Sequence, residues 1–115
     1  MTDLARHLAG ASASVALANH ATHGPPLTVT DAYDVVGALD ELLRRLPQLV
    51  GFLVRSTQRA DPAEHFDDRG REPAGAIAEA GHALARVVAD LDAAGAHATT
   101  AHNHLGHLGR HVTED

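Results

Sequence analysis

The stretch IAEAGHALARVVADLDAAGAHATTAHNHLGHLGRHV, residues 77–112, sets the fold of this 115-residue chain. Ile77, Leu84, Leu91, Ala98, Leu105 and Val112 stand seven apart without a slip, and Ala80, Val87, Ala94, Ala101 and Leu108 form a partner row. A strand would show its apolar residues at every second position. A seven-residue repeat gathers them instead along one stripe of a helix. Pro73 suits the first turn of such a helix, because the amide it lacks has no intrahelical acceptor there. The sustained register predicts one helix, or two nearly collinear ones divided near Gly95.

Working toward the N-terminus, residues 59–72 (RADPAEHFDDRGRE) are the most polar stretch and are expected to be the long loop. The DPAE segment is expected to hold one helical turn with Asp61 as its cap, and Phe66 to tuck back as an anchor. Upstream, Thr28 with Asp31 three residues later is a variant capping box that opens a second helix, expected to run to about Gln58. Val35, Leu39, Leu42, Leu46, Leu49 and Leu53 form one row on it, and Val36, Leu43 and Val50 an adjacent row. Two rows make a face broad enough for two neighbours, with Leu42 and Leu46 expected at its centre. Pro47 removes one backbone bond, so the helix should kink or break near Leu46. In the first segment Leu4, Leu8, Ala11, Val15 and Ala18 share a face, and the helix should end at HGPPL, where Gly24 permits an exit and two prolines forbid continuation. The expectation is one all-α domain spanning residues 1–115: an elongated antiparallel bundle of three long helices, or four if the chain breaks at Pro47 or Gly95.

Composition narrows the function classes. Aromatic residues make up 3% of the chain, so the core must be built from Leu, Val and Ala. All nine basic residues are Arg, Ile77 is the single Ile, and Ala is abundant, a bias that follows GC-rich coding and lowers the weight of any one Arg or His. A net charge of −6 with no Arg stripe argues against a nucleic-acid or anionic-membrane partner. With no Cys there is neither a disulfide framework nor a thiolate site. Asp3 interrupts any basic leader at the N-terminus, so a cytoplasmic protein is expected, and no apolar run approaches the ~20 residues of a membrane span.

The ten histidines are the conspicuous chemistry, since their protonation takes the formal charge from −6 to +4. On a helical wheel His97, His104, His107 and His111 cluster beside the apolar stripe. His104 with His107, and His107 with His111, have spacings that let two imidazoles share a divalent ion, and His20 and His23 are expected at the same end of the bundle. Two readings follow. In the first, the helix outruns its neighbours, and Leu105, Leu108 and Val112, bordered by His104, form a seam that a second copy covers. The chain is then a non-enzymatic self-associating interaction or scaffold module, with no cofactor and with an unidentified protein partner. In the second, the histidines make it a divalent-metal-binding or pH-responsive protein.

Other motifs are sparse. Glu79 and His82 form one Glu-x-x-His element, whereas helical di-iron centres use two, and both residues fall on the solvent side of the wheel. Asp40 with Glu41 and Asp67 with Asp68 read as solvated pairs, and Tyr33 as a ring packed at the start of the second helix. Arg59 and His65, with five residues between them, resemble the Arg-x(4 to 6)-His motif of the HEPN helical ribonucleases; the resemblance covers these two residues and implies RNA cleavage dependent on His65. Size and helicity are similar to a family of small secreted helical hairpins, whose Trp-x-Gly turn this chain lacks.

Overall fold

A computed structural model describes residues 2–112. Among them there are three α-helices: α1 (Asp3–His20), α2 (Val29–Gln58) and α3 (Pro73–Gly106). Their local causes match the sequence reading closely. Thr28 caps α2 by accepting the Asp31 amide at 3.1 Å, and Thr2, a cap not foreseen, accepts the Ala5 amide at 3.1 Å. Asp61 accepts the Ala63 amide at 2.9 Å and caps a 3-10 turn over Pro62–Glu64. Pro47 does not break α2, and Gly95 does not break α3.

At 1.5 Å per residue α2 is roughly 45 Å long and α3 roughly 51 Å. They pack antiparallel along their whole lengths. A Cβ added to Gly106 would lie 3.1 Å from the Tyr33 ring, one added to Gly95 would lie 4.0 Å from Leu43 Cβ, and one added to Gly81 would lie 3.6 Å from Gln58. Each step forward along α2 is thus matched by an equal step back along α3. On α2 the seam is made by Val36, Asp40, Leu43, Pro47, Val50, Val54 and Thr57, all buried or half-buried at steps of four and three. On α3 it is made by Ile77, Gly81, Leu84, Val88, Leu91, Gly95, Ala98, His102 and Leu105.

The expected rows are therefore half right. On α3 the partner of the Ile77 row is the row four residues on (Gly81, Val88, Gly95, His102), whose glycines let α2 come close. Val87 is left 41% exposed. On α2 the Val36 row enters the seam and the leucine row flanks it, so Leu42 is 41% exposed rather than central.

α1 departs further from expectation. Leu4 shares a groove with Arg45, Leu49 and Phe52, so α1 doubles back along α2, yet none of its Cα atoms comes within 8 Å of one in α2 or α3. Leu4 is its one half-buried residue among those described, with Leu8 41% and Val15 49% exposed. Phe66 does not tuck back and is 86% exposed.

One polar cluster crosses the seam. Asp40, read as solvated, is 7% exposed. Arg44 grips it in a two-pronged pair at 3.1 and 3.0 Å. From α3, Thr99 Oγ1 lies 2.8 Å from Asp40 Oδ1 and 3.0 Å from the Gly95 carbonyl, sharing its one proton, and accepts from Arg44 Nη2 at 3.0 Å. Replacing Thr99 by Val keeps the shape and removes the cross-helix donor, which should cost about 1 to 3 kcal/mol in chemical denaturation. Thr100→Val, at an exposed hydroxyl bonded only within its own helix, is the control and should cost much less. Equal losses would show that the cluster does not hold the hairpin.

Candidate interaction surface

The histidine-bordered row expected to run to Val112 is cut short, because α3 ends at Gly106 with His107 as its cap. The His107 and Leu108 amides are taken by the carbonyls of His104 and Leu105 in a tightened last turn. Leu105 stays in the hairpin seam, half-buried. Leu108 and Val112 lie beyond the helix, 60% and 89% exposed, and Leu108 borders a groove with Val29 and Thr30 at the start of α2. His104 remains on α3 and exposed, while His107 and His111 no longer share a helical face with it. His20 ends α1 and His23 ends the following 3-10 turn, both exposed. Among the described residues no three His, Asp or Glu side chains gather into a group that could hold a metal ion.

The histidine that the structure does use is His102. Its ring stacks on Tyr33 at 4.2 Å between centroids and 17° between planes, closing the open end of the hairpin. Room for it comes from Gly37, where a Cβ would lie 2.9 Å from His102 Nε2. The signal was present in the sequence: His102 stands seven residues after Gly95, and Asp40 four after Val36, each on a seam row.

At the opposite end Asp67 organises the loop. Its side chain is 5% exposed and accepts the Arg69 amide at 2.9 Å together with two Arg69 guanidinium bonds at 2.9 and 2.8 Å. Gly70, at φ 79°, completes the turn. The Arg69 guanidinium, and then the Arg69 amide, hold the Asp67 carboxyl below the usual range and raise Arg69 in return. Arg59, the cap of α2, and His65, the end of the 3-10 turn, are both exposed in this region.

One flank of α2 is apolar and open. Val35, Leu39 and Leu42 are 54%, 46% and 41% exposed along one flank of α2, with half-buried Leu46, Leu49 and Leu53 continuing the row. Arg45 pairs with Glu41 at i,i+4 on the polar side of the same helix. No helix among the described residues is long and apolar enough to cross a membrane. Comparison with known protein families, with curated proteins and with solved structures returns no match for this chain.

Two outcomes follow from these side chains. Gly10→Ala in α1, where nothing lies within 4 Å, should gain helix propensity, whereas Gly37→Ala should destabilise the hairpin despite the same gain of up to about 1 kcal/mol. Thermal unfolding should show Gly37→Ala becoming tolerated once His102 is also Ala, and a Gly37→Ala protein more stable than the parent would refute the tight contact. In an NMR titration the Arg69 amide should respond with a midpoint below 3.8, the ordinary Asp value. A carboxyl with a depressed pKa stabilises the turn above its unfolded value and loses that effect as pH falls through the folded one, so a midpoint at or above 3.8 would refute the pairing.

Proposed function

We propose that this chain is a non-enzymatic helical interaction module whose working form is a self-associated homo-oligomer. The observation that carries the reading is its accessible area. The chain exposes 9195 Å² at 12.0 kDa. A folded monomer of that mass exposes about 6,000 Å². The surplus of about 3,000 Å² per chain, about 6,000 Å² for a pair, is more than enough to supply the roughly 2,000 to 5,000 Å² that obligate homodimers cover over both partners.

Packing supports the same reading. Among the described residues no large side chain is fully buried, and the buried apolar residues are Val50 at 9% and Ala98 at 8%. A two-helix seam of Leu, Val, Ala and Gly does not by itself give a small domain the core it needs, and a further layer on the open leucine row supplies one. Asp40, Arg44 and Thr99 are engaged in holding that seam rather than presented for chemistry.

Light scattering at neutral pH should therefore give a mass of at least two chains, unchanged by a chelator. Leu42→Asp places an unpaired charge in the contact and should release monomers that keep their helical circular dichroism, because Leu42 is outside the hairpin seam. Leu108→Asp, beyond the end of α3, should leave the assembly intact. A protein that stays monomeric at high concentration refutes self-association; loss of assembly by chelation assigns it to metal, and dissociation by Leu108→Asp alone assigns it to the C-terminal row.

A further inference from the structure

Granting self-association, the geometry points to one occupant and one orientation: a second copy laid hairpin face on hairpin face, with α2 of each chain against α3 of the other. At 100° per residue the α2 leucine row lies about 100° from the seam, and the α3 row of Ala80, Val87, Ala94 and Ala101 about 80° from it. Seen from each helix's own N-terminus, both rows fall on the same side of the seam. In an antiparallel pair that is the same face of the hairpin, so the two rows form one continuous apolar surface. Exposure agrees: Val87 is 41% exposed and Ala94 half-buried, as on the α2 flank. α1 reaches only the edge of this face, since Leu4 meets α2 among Arg45, Gln48, Leu49, Phe52 and Arg55, of which Leu49 alone belongs to the leucine row.

The residues themselves fix which helix lies on which. One row is leucine and the other alanine, so leucine on leucine would hold two helices apart while alanine on alanine left the other two with a gap. Leucine on alanine gives both contacts equal depth, the alternation of large and small that close packing requires. It is reached by a two-fold axis parallel to the helices, which keeps every residue at its own height. The hairpin register already sets those heights, with Asp40 beside Thr99 and Leu43 beside Gly95. Leu39 then meets the partner's Ala101, Leu46 the partner's Ala94 and Leu53 the partner's Val87, seven residues apart on both sides. Charge follows the same order. The end of α2 that carries Asp31 and Asp34 lies level with the histidine-rich end of α3, and the end that carries Arg55 and Arg59 lies level with Glu72 and Glu79. The product is a closed four-helix bundle in which every neighbouring pair is antiparallel.

The natural absence of cysteine makes disulfide trapping a direct test. Two single variants of the full chain, Leu46→Cys and Ala94→Cys, are mixed, exchanged and oxidised, with Leu39→Cys and Ala101→Cys as a second pair should either of the first fail to fold. The mixtures should yield covalent dimers in most of the protein. Leu46→Cys alone should yield few, because its two copies sit on helices diagonally across the bundle, whose axes are about 11 to 14 Å apart for interaxial distances of 8–10 Å, beyond the ~7 Å limit for a disulfide. Trapping of Leu42→Cys with Leu46→Cys in place of Leu46→Cys with Ala94→Cys would show α2 on α2 and overturn the orientation. A dimer by light scattering that traps in none of these pairs would overturn the face. A monomer by light scattering would instead overturn the self-association on which this inference rests.

Discussion

Asp40 is the residue on which the arrangement of α2 against α3 depends. A seam of Leu, Val, Ala and Gly repeating every seven residues is nearly as well satisfied after sliding by one repeat, because an apolar residue still meets an apolar residue. A buried carboxylate is not indifferent to that slide. In the observed register it faces Thr99, which supplies a proton from the opposite helix while Arg44 supplies two from its own. One repeat away in either direction the facing position holds Asp92 or Gly106, a second carboxylate or no donor at all. Losing the Thr99 donor costs about 1 to 3 kcal/mol, and a facing carboxylate adds like-charge repulsion to that loss, more than the differences among apolar contacts.

With the register settled, the rest of the hairpin falls into place. Gly37 is brought opposite His102 and Gly106 opposite Tyr33, so that the stacked rings fill the end of the seam without forcing the helices apart. Gly81 and Gly95 do the same lower down, giving a close approach where larger residues would hold α2 off. Close approach has a consequence at the flank. The narrower the seam, the fewer rows it can cover, and the leucine row of α2 is left beside it. α1 reaches that row only at Leu49, through Leu4, and the molecule, 76 Å long and about 25 Å across, presents the rest of the row along its side. The same glycines that tighten the hairpin therefore leave an apolar row open on its surface.

What the sequence determined by itself was local and periodic. The three helices, their caps at Thr28 and Asp61 and the loop between them follow from hydrogen-bonding side chains, prolines and a seven-residue repeat, each acting within a few residues; whether α3 continues through Gly95 was left open by the same signals and was decided by the structure. Two rows on each long helix were also legible. Which row turned inward was not, because rows at i+3 and i+4 from a common residue are equally apolar in a chain this rich in alanine. Close helix approach selected Gly81 and Gly95 over Ala80 and Ala94, and it carried Asp40 and His102 inside, against their polarity, because they stand on the selected rows. The stand-off of α1 was a tertiary outcome too. An amphipathic pattern states that a face is apolar, whereas the distance of a partner decides whether that face is buried.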